Sequence, residues 1–247
     1  ITEEGNAFFD IPFYDIAIRT GGSEIFINSV ACGIIAGMIG EEFRSVEHVM
    51  EATFAGKSEE IIRKNKEVAG AGYDFVKNNF KQDTFRIKAG TIKDAGTLVM
   101  NGNDAIALGA IRAGCKFYSA YPMSPSTTIM NVIAQYAQKF HIIVEQAEDE
   151  IAAVNMIIGA SFTGVRAMTA TSGLSLSAMT ETPIVVVVAQ RPAPATGFPT
   201  RTAQADLEFV LHAGHGEFAR AVYTPGTIEE AFYVTIKAFN IAEKYQI

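Results

Sequence analysis

The sequence predicts an α/β protein: a doubly wound parallel sheet preceded by part of a smaller α/β domain. Three observations predict it. From residue 97 onward, short apolar runs alternate with helix-length amphipathic stretches, the rhythm of βα units. Ile184–Gln190 is an unbroken β-branched run, as in a central parallel strand covered on both faces. Thr227-Ile228-Glu229-Glu230 is a capping box in front of a long amphipathic stretch that ends near Tyr245.

The elements follow in order. Residues 1–20 carry Phe8, Phe9, Ile11, Phe13 and Ile16 with no earlier element to pack on, which reads as a chain that begins partway through a domain. Asn28 is placed to cap Ser29–Met38, a helix of small residues that permits close backbone approach. Ser45–Thr53 is a short helix, and Ser58 opens an amphipathic one running to about Phe80. The domain assignment is 1–82 for the smaller domain, 83–96 for a polar linker and 97–247 for the sheet domain. Within the last, Thr97–Met100 reads as a strand, and Asn103 as the cap of helix Asp104–Ala113. Lys116–Tyr121 is a strand, Pro125–Phe140 a helix, Ile142–Glu145 a strand and Ala147–Thr163 a helix. Arg166–Thr171 and Ile184–Gln190 are strands, Ala203–Leu211 is helical and Ala219–Tyr223 is a further strand. The pattern stops at Gln246-Ile247, where another strand is due.

Composition narrows the function classes. The 247 residues are 49% hydrophobic and 19% charged, enough to build a core. A net charge of -7 argues against nucleic acid as the main partner. No apolar run approaches the roughly 20 residues of a membrane span, and the expected location is cytoplasmic. Cys32 and Cys115 lie far apart in apolar settings and read as buried thiols. Two cysteines cannot ligate an iron–sulfur cluster that takes four. His212 and His215, three apart with no carboxylate or cysteine beside them, make a poor metal site, so no metal is assigned to this chain.

Two stretches carry chemistry. In Tyr121-Pro122-Met123-Ser124-Pro125-Ser126-Thr127, Ser124 is placed to be an N-cap with Pro125 at the first helical position. Free N–H groups and a hydroxyl then face the carboxyl end of a strand, where open α/β sheets bind ligands. In Val144–Glu150, three acids open an apolar helix, and Glu148 shares a face with Ile151, Ala152, Asn155 and Gly159. A carboxylate on that inward face must be neutralised or act on something. Asp149 and Glu150 point elsewhere and suit the helix N-terminus. The irregular stretch Arg191–Thr202 holds three prolines and reads as a stiff functional loop. Its Arg191 and Arg201 could grip a carboxylate, with Thr196, Thr200 and Thr202 as hydroxyl donors, or could simply be solvated.

Six motifs in order make a resemblance: Tyr121–Thr127, Gln146-x-Glu148-Asp149-Glu150, Arg166-x-Met168-Thr-Ala-Thr-Ser-Gly173, Gln190-Arg191 through Gly197-Phe-Pro-Thr-Arg-Thr202, Gln204-Ala-Asp206-Leu, and Gly214-His-Gly-Glu217. From Asn101 to the end, the chain resembles the alpha subunit of 2-oxoacid:ferredoxin oxidoreductases, enzymes that use thiamine diphosphate. Residues 1–80 more loosely resemble the later part of the gamma domain often fused ahead of alpha, through Ile11-Pro12-Phe13, Asn28 and Phe54-Ala-Gly-Lys57. The resemblance implies a thiamine pyrimidine-binding fold. It implies that Glu148 bonds to N1′ of the cofactor's aminopyrimidine and favours the tautomer that deprotonates C2. It implies cofactor contacts from Tyr121, Pro122, Ser124, Glu148, Ser172 and Gly173, and 2-oxoacid contacts from Ser124, Arg191, Thr200 and, second, Arg201. Ser124 stands where the family usually has Thr, which loses a methyl contact and bears on substrate preference. No Gly-Asp-Gly motif is present to hold magnesium and diphosphate, so Mg2+ and a 4Fe-4S cluster are expected on a beta partner, with which thiamine diphosphate is shared. Coenzyme A, a 2-oxoacid and ferredoxin complete the implied partners, in a heterodimer or dimer of heterodimers. The preferred substrate is 2-oxoglutarate or a broad range, with pyruvate or branched-chain acids, or transketolase-like chemistry, as alternatives. After Gly173 the family continues with a Gly-rich helix that is missing here. Either that segment is deleted or residues are absent between Gly173 and Leu174; the second is the expectation, with a separation there longer than one peptide bond.

Overall fold

Small residues on two facing helices dictate the smaller unit. The computed structural model describes residues 2–3, 6–7, 9–80, 98–172, 182–193, 197–214 and 218–247, and divides into two units, Ile1–Gly96 and Thr97–Ile247. The first holds a short antiparallel pair, β1 (Thr2–Glu3) and β2 (Asn6–Ala7), and helices α1 (Phe13–Ile16), α2 (Ile27–Ile39), α3 (Phe43–Thr53) and α4 (Glu59–Asn79). Gly33 of α2 meets the backbone of α4 so closely that a Cβ there would lie 1.8 Å from the Ala69 carbonyl oxygen. Val30, Ile34, Val68 and Val76 close the core around this contact. The buried Ser29 hydroxyl donates to Asn65 Oδ1 (2.6 Å), and Asn65 Nδ2 donates to the Ile61 carbonyl (2.8 Å), so no polar atom of this pair is left bare. Ser58 caps α4 as expected, accepting from the Ile61 amide. Asn28 does not cap α2, which begins a residue earlier, at Ile27, with no side-chain cap. Cys32 is exposed on α2, against the expectation of a buried thiol, because the packed face is the one carrying Ser29, Gly33 and Ala36.

The second unit is a parallel four-stranded sheet in the order β4–β3–β5–β6, with β3 Phe117–Ala120, β4 Ile143–Gln146, β5 Ala167–Thr171 and β6 Ile184–Val188. Helix α5 (Gly102–Arg112) precedes β3. Helices α6 (Thr127–Phe140) and α7 (Glu150–Phe162) cross from β3 to β4 and from β4 to β5, and α8 (Leu207–His212) and α9 (Ile228–Tyr245) follow β6. Tyr118, Ala120, Met168, Ala170 and Val185 point to one face, where Ala107, Ala110, Ile129, Ile133 and Phe239 cover them. Full burial of side chains such as Ile129 and Ile133 stabilises by roughly 1.5–3 kcal/mol each. The alternate residues face α7, where the Ser119 hydroxyl contacts Met156 Sδ at 3.3 Å. Cys115 lies in the same core, and burial pushes its thiol up to about 12, so it stays protonated.

Several boundaries differ from the sequence expectation. Asn101, not Asn103, caps α5: its Oδ1 accepts from the Asp104 amide while the Asp104 carboxylate accepts from the Asn101 amide. β6 lies at the edge of the described sheet and is mostly half-buried, so its β-branched run reflects helices on its faces rather than a central place. Leu98–Met100 and Ala219–Tyr223 join no ladder among the described residues, and Leu98 and Val99 are exposed. The helix predicted at Ala203–Leu211 is only Leu207–His212. The expected linker 83–96 and the expected break at Gly173–Leu174 lie outside the described residues.

Arg166 ties β5 to the helical layer. Its Nε and Nη2 donate to the two Glu243 oxygens (2.9 and 2.6 Å), Nη2 also to Asn240 Oδ1 (3.0 Å), and Nη1 to the Ala113 carbonyl. The Arg166 hydrogen bond holds the Glu243 carboxyl below its ordinary range. A lowered carboxyl contributes stability above its unfolded pKa, and that stability is lost as pH falls through the folded one. Glu243→Gln is therefore expected to cost about 1 kcal/mol or less at neutral pH, since the pair is half-exposed, and nothing in acid. Urea unfolding at both ends of that range checks it.

Candidate active site at the strand carboxyl ends

Every sequence-predicted site residue described here follows a strand at the same edge of the sheet. The register aligns Ala120 with Gln146 and Thr171 with Val188, so the loops after β3, β4, β5 and β6 share that edge. From β3 the chain passes to β4 on one side and then to β5 on the other. The order therefore reverses between β3 and β5, where open α/β sheets bind ligands.

The turn after β3 is tightly bonded. The Met123 carbonyl accepts from the Ser126 amide (2.8 Å), the Ser126 hydroxyl (2.7 Å) and the Thr127 amide (3.2 Å). These bonds make residues 123–126 a turn of their own, and α6 starts only at Thr127, with Ser126 in the N-cap position. The expectation of Ser124 as N-cap and Pro125 as first helical residue is thus corrected: the Ser124–Pro125 bond is cis and Ser124 is exposed. Tyr121 is also exposed and Pro122 half-buried at the start of this turn. Two side chains hold it. Asn103 donates to the Pro125 carbonyl (2.8 Å) and to the Thr128 hydroxyl, and Arg191 Nη1 donates to the Ser124 carbonyl at 2.7 Å.

Glu148 is placed differently from the sequence reading. It is not on the face of α7. Its neighbour Asp149 is the N-cap, accepting from the Ala152 amide at 2.7 Å, so the helix starts at Glu150. On the other side the Ala147 amide still donates to the Ala120 carbonyl (3.1 Å), extending the strand pairing. Glu148 occupies the single-residue corner between them and is exposed, with no hydrogen bond or ion pair to the described residues. Asp149 serves the helix N-terminus as expected. Glu150 is half-buried, and its Oε1 is shielded without a partner.

The remaining loops bring buried, unpaired polar atoms to this edge. Ser172, which follows β5, is 1% exposed and its hydroxyl has no partner. Gly173 lies outside the described residues. Arg191 is 4% exposed; its Nε is unpaired, and no carboxylate pairs with it among the described residues. A buried cation without an anion costs several kcal/mol, about what a bound carboxylate would recover. Arg191 is therefore not the solvated loop residue that the sequence left open. Gln190 accepts from the Asp206 amide (3.3 Å), and Asp206 is itself buried with Oδ2 unpaired. Gly197 closes the loop on itself: its φ is 58°, and a Cβ would fall 1.6 Å from the Pro192 carbonyl oxygen. Thr200 and Arg201 stand exposed in the same loop, and no hydrogen bond joins their side chains to Ser124, Glu148 or Arg191 among the described residues. The sequence reading missed Asn103, Glu150 and the buried carboxylate of Asp206. For Asn103 the available signal was the second asparagine two residues earlier, which makes one of the pair surplus to capping.

This donor set fits an aminopyrimidine ligand: a carboxyl on a rigid corner, an unpaired hydroxyl at Ser172, and backbone at the switch point. Among the described residues no three His, Cys, Asp or Glu side chains cluster as metal ligands, and no single helix is long and apolar enough to cross a membrane.

Residues 108–247 match the family profile described as pyruvate flavodoxin/ferredoxin oxidoreductase, thiamine diP-bdg, and residues 1–75 that of pyruvate ferredoxin/flavodoxin oxidoreductase. The alpha subunit of 2-oxoacid:ferredoxin oxidoreductase 1 from Sulfurisphaera tokodaii is 39% identical over 223 residues, covering 81% of this chain and 35% of the relative. The 2-oxoglutarate synthase subunit KorA of Methanothermobacter thermautotrophicus is 43% identical over 157 residues, covering 60% of this chain and 42% of the relative. A solved 2-oxoglutarate:ferredoxin oxidoreductase from Magnetococcus marinus, with 2-oxoglutarate, coenzyme A and succinyl-CoA bound, superposes with a TM-score of 0.78 at 36% identity, covering 96% of this chain and 42% of that one. The chain thus spans about two fifths of the length of the relatives it matches. On the family match over 108–247 and these relatives, the chain belongs to the pyruvate flavodoxin/ferredoxin oxidoreductase family, as an alpha-type chain with a thiamine diphosphate-binding domain.

Proposed function

We propose that this chain supplies the pyrimidine-side half of the active site of a thiamine-dependent 2-oxoacid:ferredoxin oxidoreductase. The enzyme would convert a 2-oxoacid and coenzyme A to acyl-CoA and CO2, with the electrons passing to ferredoxin. The observation that carries this reading is the direct bond from buried Arg191 to the Ser124 carbonyl, at the sheet edge where Glu148 stands alone on its corner. Thiamine diphosphate, when bound, supplies the carbon nucleophile and the electron sink for decarboxylation. The residues of this chain do the rest. Glu148 holds a proton at N1′ of the aminopyrimidine. The Ser124 hydroxyl donates to the 2-oxoacid, and the unpaired Arg191 Nε is available to its carboxylate. Ser172 and Gly173, with the Tyr121–Pro122 backbone, would flank the ring. Thr200 and Arg201 are proposed to join them when the loop meets substrate.

The same reading assigns the diphosphate, Mg2+ and a 4Fe-4S cluster to a beta partner, in a cytoplasmic heterodimer or dimer of heterodimers. Exposed Glu148 is in keeping with a site completed by another subunit, as are Ile151, Met156 and Phe162, which α7 leaves exposed. The proposed substrate is 2-oxoglutarate or a broad range, supported by the activities in the names of the relatives.

The test is to purify the chain alone and with its beta partner. Each preparation is assayed for methyl viologen reduction with 2-oxoglutarate, pyruvate and branched-chain 2-oxoacids in the presence of coenzyme A and thiamine diphosphate. The expected result is no reduction by the chain alone and turnover by the complex, highest with 2-oxoglutarate. Reduction by the isolated chain would overturn the shared site, and a complex inert toward every 2-oxoacid would overturn the activity.

A further inference from the structure

We infer that Asn103 is a positioning residue for the substrate-facing turn, acting through the backbone to fix the Ser124 hydroxyl. The inference rests on the proposed role of Ser124 and extends it to a residue on a different element. Asn101 and Asp104 complete the cap of α5 between them, so Asn103, in the first turn of that helix, is not needed there. Its amide nitrogen reaches across to the turn after β3, donating to the Pro125 carbonyl at 2.8 Å and to the Thr128 hydroxyl. A carbonyl only accepts, so the Pro125 contact requires Nδ2, not Oδ1, on that side.

From the other side Arg191 Nη1 holds the Ser124 carbonyl at 2.7 Å. The main chain on both sides of the Ser124–Pro125 bond is thus gripped by side chains from two separate elements, one after β6 and one in α5. Internal bonds to the Met123 carbonyl fix the stem of the turn but none of them reaches Ser124. With Asn103 released, Ser124 would be tethered at one point only. A misplacement of about 1 Å at a substrate-contacting group can cost about a hundredfold in rate.

The experiment uses the chain in complex with its beta partner. Asn103→Asp keeps the shape but sets a carboxylate against the Pro125 carbonyl. The expected result is a rise in KM for 2-oxoglutarate of about tenfold to a hundredfold, matched by weaker 2-oxoglutarate binding in calorimetry, with KM for coenzyme A and the melting temperature unchanged. Asn103→Gln, which keeps the donor, should recover part of the loss. On a Ser124→Ala background, Asn103→Asp should add nothing further, because its effect runs through the Ser124 hydroxyl. Thr128→Val, which removes the second acceptor, gives a smaller loss of the same kind and serves if the Asp variant does not assemble. Equal changes in both KM values with a lowered melting temperature, unchanged kinetics, or full multiplicative losses in the double variant would each overturn the inference. Glu148→Gln run in parallel separates the two levels. If it is inactive while Asn103→Asp behaves as wild type, only the positioning role fails; if it is fully active, the reading of the whole site fails.

Discussion

Glu148→Gln, assembled with the beta partner, is expected to lose about a thousandfold in kcat for 2-oxoacid oxidation while leaving the melting temperature unchanged. The size follows from the role. A positioned acid–base group contributes about 10²–10⁴ in rate, and glutamine keeps the shape while removing the titratable proton. The unchanged melting temperature follows from the geometry. Glu148 is exposed, belongs to neither the strand nor the helix beside it, and bonds to no described residue, so its carboxyl contributes little to the fold. Glu148→Asp should recover part of the rate, since it restores the acid with a shorter reach. A glutamine variant with wild-type kcat would remove Glu148 from the chemistry.

The second large effect is on stability. Gly33→Ala is expected to destabilise the smaller unit by about 3 kcal/mol or more, read as a lower urea midpoint. Helix propensity predicts the opposite sign, because Ala is favoured over Gly by about 1 kcal/mol in a helix interior. Packing wins because the new Cβ would lie 1.8 Å from the Ala69 carbonyl oxygen, a backbone atom that moves only if α4 moves. Gly72 on α4 is crowded too, its Cβ falling 2.5 Å from the Val30 carbonyl oxygen, so sliding one helix along the other does not make room. The same substitution at Gly159, with nothing within 4 Å, follows propensity instead and is the control.

Those two residues also show what a sequence reader can and cannot see. The small residues of α2 announce a close helix contact, but not which backbone lies opposite, since that depends on pairing with residues 36 positions further along the chain. The four strands of the sheet were legible as apolar runs between turn residues, but the same signal at Leu98–Met100 and Ala219–Tyr223 gave no ladder among the described residues. Helix starts were less so, because adjacent polar residues compete for the cap: Asn101 wins over Asn103, and Asp149 displaces the helix start from Ala147 to Glu150. That displacement moved Glu148 from a helical face to a corner. Periodicity therefore put Glu148 on a helix face that it does not occupy, while the motif order singled out the same residue without reference to a helix. Whether β6 is central or at an edge was hidden as well, since helices on both faces of an edge strand demand the same β-branched residues as a further strand would. Asn103 was read as a helix cap for a related reason: its partners lie on a turn that sequence spacing does not bring near it.

The corner at Glu148 has a consequence for chain length. Loops on protein surfaces usually absorb insertions at small cost, but here no slack exists between the last strand bond at Ala147 and the cap at Asp149. Adding or deleting one residue between them must either break the cap or shift β4 by one step against β3. A one-step shift turns every side chain of the strand to the opposite face. Length variation should consequently be absent at this junction even where the flanking residue types drift.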